Sequence, residues 1–205
     1  MITYIETAGI SGEIVECGVH RGKSTLAIGS SLVRFMSERE LWLYDSWMGK
    51  SEPVENDQTW LFPEQQTLVP GYIKSSWDPE ATAEAVLWKL LQVGIPEQQI
   101  VFRNGWFNET FLLPLPRSVA LLHVDCDYYQ ASFDVLETFY DLVSPGGVIV
   151  FDDFGHWPGQ RVALFQFCAD RGLAPLLERN GHSQAWFVKG KEHNRLSAAP
   201  PGNAD

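Results

Sequence analysis

Two apolar runs in this chain end in pairs of carboxylates, LLHVDCDYY at 121–129 and GGVIVFDDFG at 146–155. Unbroken apolar runs of that length are the pattern of strands covered on both faces, as in a parallel sheet flanked by helices. In such sheets ligands bind just beyond the carboxyl ends of the strands. Asp125, Asp127, Asp152 and Asp153 are therefore predicted to gather at one edge of the sheet, where unpaired carboxylates would repel one another. A bound divalent cation is the simplest physical reason to place them there.

The rest of the chain supports that sheet. Short apolar runs alternate with helical patterns, the signature of βαβ units. Strands are expected at Glu13 to Val19, Leu41 to Trp47, Ile100 to Arg103, Val119 to Asp125 and the run that delivers Asp152. A helix opened by Lys23 or Ser24 follows the first strand. A second, capped by Asp78 with Pro79 in its first turn, runs to Gly94. Further helices are expected after Trp106, over about Ala131 to Val143 and over about Gln160 to Arg171, with SPGG at 144–147 as a turn. Two final strands, Ala174 to Leu177 and Gln184 to Val188, flank Asn180 and Gly181, a pair that favours a hairpin, so they should be antiparallel. The reading is an α/β, Rossmann-like single domain: a mostly parallel seven-stranded sheet with an antiparallel C-terminal strand and helices on both faces.

A length of 205 residues with 45% hydrophobic content suits one core. That domain is expected over residues 1–190, with 48–77, rich in Pro, Glu, Gln and Trp, as a lid or substrate loop, and 191–205 as a disordered tail. The net charge of -11 argues against nucleic acid as a partner. No apolar run approaches the roughly 18 residues that span a bilayer, and MITYIETAG has no basic leader, so no membrane partner is expected and cytoplasm is the default. Cys17, Cys126 and Cys168 lack finger spacing and an even count, and are read as reduced and inert.

Glu16, Gly18, Gly22 and Ser24 lie at the junction of the first strand and its helix. Glycine there lets backbone approach a ligand closely, and a helix N-terminus favours polar or anionic groups, which together describe a nucleoside pocket. A phosphate-binding P-loop would need Gly where Cys17 stands. Asp45, ending the neighbouring strand, is placed to accept hydrogen bonds from ribose hydroxyls. Without a third spaced glycine, a cofactor smaller than a dinucleotide is favoured.

Asp125 and Asp127 are two apart and would point to one side of an extended segment, whereas Asp152 and Asp153 converge only where the chain is turning. Oxygen ligands without thiolates or imidazole pairs suit Mg²⁺. A D-x-D glycosyltransferase reading of Asp125-Cys126-Asp127 leaves Asp152 and Asp153 unexplained; a noncatalytic cofactor-binding protein is the other alternative. His123, on an apolar strand, reads as a satisfied core residue.

ECGVHRGKS at 16–24, LYDSW at 43–47, FRNGWFNET at 102–110, LLHVDCDYYQAS at 121–132 and SPGGVIVFDDFG at 144–155 together resemble the macrocin O-methyltransferase family. The resemblance covers roughly residues 12–190. It implies a class I fold that uses S-adenosyl-L-methionine and Mg²⁺ to methylate sugar hydroxyls of antibiotics. On this chain it implies Asp125, Asp152 and Asp153 as metal ligands and Asp127 as general base. Glu16, Gly18, Gly22, Ser24, Asp45 and Asp125 would serve the cofactor, with Gly105 and Trp106 near its adenine. His20 stands where the family carries an aromatic residue, and is a candidate to touch cofactor or substrate. Family members have a longer helical segment before the first strand, where about a dozen residues precede Glu13 here. The expected partner is a small-molecule vicinal diol, and a homodimer is compatible with the resemblance.

Overall fold

Every residue of Val119–Val124 is buried, and this strand is the middle of the structure. The computed structural model describes residues 1–57, 78–181 and 183–191. Among them seven strands form one sheet: β1 (Glu13–Cys17), β2 (Leu41–Asp45), β3 (Ile100–Asn104), β4 (Val119–Val124), β5 (Val143–Phe151), β6 (Glu178–Asn180) and β7 (Gln184–Val188). The order across the sheet is β3-β2-β1-β4-β5-β7-β6, parallel except that β7 runs against both its neighbours. The chain winds outward from β1 to β3, then returns beside β1 with β4 and winds the other way. The junction of β1 and β4 is thus the topological switch point, where α/β sheets open a crevice.

Side-chain alternation along the strands assigns the helices to faces. On one face α1 (Ile2–Thr7), α2 (Lys23–Phe35) and α3 (Ala83–Gln92) bury Ile2, Ile5, Leu32, Val86 and Leu90 against Ile14, Leu43, Val148 and Val150. On the other, α4 (Phe107–Thr110), α5 (Tyr129–Phe139) and α6 (Pro158–Arg171) pack against Val15, Tyr44, Ile149 and Phe151. Each fully buried aliphatic or aromatic side chain contributes about 1.5–3 kcal/mol, so both layers hold the sheet edge that carries the acidic motifs.

Several boundaries depart from the sequence reading, each for a local reason. The third helix starts at Ala83 instead of Pro79: Thr82 is its cap, its Oγ1 accepting from Ala85 N at 3.1 Å. Asp78 is engaged by Arg21 and His20 instead. SPGG is no turn but the start of β5, where the β4 pairing slips register between Val119 and Leu121 and Gly146, at φ +83°, absorbs the irregularity. Ala174 to Leu177 is not a strand. Pro175 has no N–H for a ladder, and β6 begins only at Glu178, set by the pairing of Asn180 with Gln184. Helix α1, within the dozen residues before Glu13, had no sequence signal. The tail beyond Lys191 and residues 58–77 of the lid expected over 48–77, with Trp60, Phe62 and Trp77, lie outside the described residues.

Candidate active site

A cavity of about 1030 Å³ opens over the switch point. Gly18, His20, Asp45, Trp47, Gly105 and Trp106 form one part of its wall, Asp125, Cys126 and Asp127 its floor, and Met48 to Glu52 a further side. Three of the four non-glycine residues with positive φ among the described residues line it: His20 at +49°, Trp47 at +51° and Asp127 at +60°. A left-handed backbone at such residues costs about 1 kcal/mol or more each and persists where the surroundings enforce it, commonly at functional sites.

The wall at the ends of β1 and β2 is made largely of backbone. Gly18, at φ +90°, lies so close to β4's end that a Cβ there would stand 1.8 Å from the Asp125 carbonyl oxygen. Only glycine lets the two loops meet. Asp45 Oδ2 accepts from Val19 N at 2.7 Å and His20 N at 2.8 Å, and its Oδ1 from Trp47 N at 2.6 Å. A carboxylate has about four acceptor positions, so three are spent bracing the turn and about one is left for a ligand hydroxyl. Gly22 is the left-handed N-cap of α2, facing Val86. Neither Gly22 nor Ser24 lines the cavity, and their part is to shape the turn.

Glu16 is placed differently from the sequence expectation. It is 1% exposed and turned away from the cavity, with Oε2 accepting from Thr25 Oγ1 at 2.5 Å and Oε1 lying 3.1 Å from His123 Nδ1. His20, the other residue proposed for chemistry, sits at the mouth, largely exposed, with Nε2 3.1 Å from Asp78. Its partner is that rim carboxylate and not the acidic quartet.

The quartet itself converges. Asp125, Asp152 and Asp153 each offer an oxygen within 4.8 Å of the others. Burial, with like charge from Asp152 and Asp153, pushes the Asp125 carboxyl up. The His123 imidazole, 3.8 Å away, and the Gln184 amide hold Asp152 below the usual carboxylate range, against its desolvation. Burial alone would lower the His123 imidazolium, but the Asp152 and Glu16 carboxylates hold it up at about 10. These three oxygens, hard donors crowded beside the cavity, fit a small divalent cation.

Asp127 lies at the side of that triangle, against Asp153. Its Oδ2 contacts Lys50 Nζ at 3.0 Å, and the same ammonium lies 4.4 Å above the Trp157 ring. Burial pushes Asp127 up and Lys50 opposes the shift. The Lys50 segment is pinned by Asp57, 2% exposed, whose Oδ1 accepts from Tyr129 N at 2.6 Å and Oδ2 from Val54 N at 2.8 Å. Sequence reading missed Lys50 and Asp57, which sit in a stretch without periodicity. It also missed the tie from His123 to the acidic cluster, although His123 precedes Asp125 by two residues on a strand and so must share its face.

This sheet order, with a single reversed strand and an acid-floored cavity at the β1/β4 junction, is that of the methyltransferase fold. The O-methyltransferase NovP has the same fold (TM-score 0.77, 22% identity, 92% of this chain and 76% of that one), as has the calicheamicin methyltransferase CalS11 (0.64, 20%, 91% and 76%). The profile described as Macrocin-O-methyltransferase (TylF) matches residues 1–189, and the chain belongs to that family. Mycinamicin III 3''-O-methyltransferase of Micromonospora griseorubida is 27% identical over 167 residues, 81% of this chain and 64% of that protein. A tetracenomycin 4'-O-methyltransferase of Streptomyces olivaceus is 27% identical over 180 residues, 87% and 66%. The chain thus spans just under two thirds of the length of these two relatives. Among the described residues, no helix is long and apolar enough to cross a membrane.

Proposed function

We propose that this protein transfers a methyl group from S-adenosyl-L-methionine to one hydroxyl of a vicinal diol on a sugar, assisted by a divalent cation, Mg²⁺ being the best match. The observation that carries the reading is the convergence of Asp125, Asp152 and Asp153 at the edge of a cavity walled by the Gly18 and Asp45 turns. A sugar hydroxyl as the acceptor is supported by relatives whose names specify the 4'-O position of a 2,3-dimethoxy-rhamnosyl group and a TDP-rhamnose 3'-O position.

Asp125, Asp152 and Asp153 would hold the ion, which supplies the charge that lowers the pKa of an acceptor hydroxyl. The chain's own groups do the rest. Gly18 and Asp45 shape the wall for the nucleoside, and Gly105 with Trp106 closes its far side. Lys50 holds Asp127 through Oδ2, and the Asp127 carboxylate would receive the acceptor proton. Burial raises the basicity of Asp127, which suits it to that role. The acceptor oxygen then forms its bond to the sulfonium methyl, the S–CH₃ bond breaks with its electrons going to sulfur, and S-adenosylhomocysteine leaves. Fixing acceptor, base and sulfonium in line is the main work of such a site.

The test is turnover of methyl-labelled S-adenosylmethionine with a panel of diol sugars, with and without chelator, by wild type and Asp127→Asn. Chelation should abolish transfer, and Asp127→Asn should lower kcat by about 10²–10⁴-fold with cofactor and metal affinities unchanged. Full activity in EDTA would reject the metal, and full activity of the variant would reject the base.

A further inference from the structure

Beneath the metal cluster runs a buried chain of polar side chains that the transfer chemistry leaves unused. Strand register places Glu16 directly beside His123, and alternation puts both on the α2 face of the sheet. Thr25, in the first turns of α2, donates to Glu16 at 2.5 Å. Glu16 Oε1 lies 3.1 Å from His123 Nδ1, and His123 Nε2 lies 3.8 Å from Asp152 Oδ1, which also accepts from Gln184 Nε2 on β7. Glu16 and His123 are 1% and 5% exposed, so neither can be satisfied by bulk water. Both ring nitrogens face carboxylate oxygens, an arrangement in which each nitrogen acts as a donor.

Resting on the proposed metal site, we propose that His123 is the positioning residue for that site. It ties Asp152 to Glu16 and, through Thr25, to the helix that follows the glycine turn. The Asp152 backbone is still held by its N–H, which donates to Val124 O at 3.1 Å, and the imidazole acts on the carboxylate beyond it. Without that tie Asp152 would keep only its Gln184 amide contact against the like charges of Asp125 and Asp153, which repel it. Partners of this kind behind a ligand typically change metal affinity 10–100-fold. His123 touches neither the cavity wall nor the reacting atoms, so its effect is on binding of the ion and not on the chemical step.

Calorimetric titration of Mg²⁺ and Mn²⁺, and separately of S-adenosylhomocysteine, into wild type, His123→Leu, His123→Gln and His123→Asn tests this, with melting temperature measured for each. A Gln amide reaches the Nε2 position, facing Asp152, whereas an Asn amide reaches only the Nδ1 position, facing Glu16. The Leu and Asn variants should bind metal about 10–100-fold more weakly, with Gln retaining most of the affinity and S-adenosylhomocysteine affinity within about threefold throughout. A purely packing role would instead rank the variants by melting temperature, with Asn and Gln binding metal alike; that result, or wild-type metal affinity in the Leu variant, overturns the inference. Absence of metal binding by wild type itself would instead defeat the functional reading on which it rests.

Discussion

The two halves of this site are built by different means. The cofactor half, at the ends of β1 and β2, is mostly backbone: Gly18 at φ +90°, a carboxylate spent on three amides, and a turn shaped by glycines. The acidic half, at the ends of β4 and β5, is made of side chains that meet across two strands, with His123 beneath Asp152 and Lys50 on Asp127 from the loop side. A backbone-built wall tolerates changes in side chains but not in conformation. A wall of converging charges tolerates neither loss of a charge nor loss of the partner that offsets it.

The largest effect should come where the halves touch. Gly18→Ala places a methyl 1.8 Å from the Asp125 carbonyl and forces a left-handed residue, so it should cost about 3 kcal/mol or more. Urea denaturation measures this, and a stability within about 0.5 kcal/mol of wild type would show that the two loops are not in obligatory contact. Next, Asp153→Asn and Asp45→Asn should separate the halves. The first should weaken Mg²⁺ binding about a hundredfold with S-adenosylhomocysteine affinity nearly unchanged, and the second should do the reverse at about tenfold. If both ligands respond equally to both variants in calorimetry, the division is false.

A smaller effect concerns pH in the metal-free protein. Asp125 and Asp127 have folded pKa values raised by burial, and His123 is raised to about 10 by its carboxylate partners. A group whose pKa is higher folded than unfolded gives stability that is complete below its unfolded value and lost as pH rises through the folded one. The loss therefore starts near the ordinary carboxylate value of about 4 for the aspartates and near about 6.5 for His123, so all three act together at mildly alkaline pH. The melting temperature without divalent ions should fall between pH 6 and pH 9, and saturating Mg²⁺ should flatten the aspartate part. A rising melting temperature over that range would contradict the electrostatics described for the cluster.

How much of this was legible beforehand varied with the length of sequence a feature needs. The β4 and β5 cores, the reversal at β7 and the acidic motifs at strand ends could be read from runs of a few residues. Helix starts were less secure. Asp78 looks like a cap, yet Arg21 and His20, far away in sequence, take its carboxylate, and Thr82 caps instead. Glu16 looked like a cofactor residue because it adjoins the glycine turn, but its direction depends on strand alternation and on what waits on that face, namely Thr25 and His123. Lys50 lies in a stretch with no period at all, and only its contact with Asp127 marks it.

By itself, the sequence determined the alternation of strand and helix, the parallel sheet and the four carboxylates at the strand ends, since these follow from local hydrophobic period and turn chemistry. Which carboxylates converge closely enough to share an ion, which one pairs with Lys50, and which histidine lies under the cluster were decided only by the tertiary structure. Those outcomes depend on the register between β1, β4 and β5 and on electrostatic partners brought together from separate segments, and no local pattern in the chain encodes such distances.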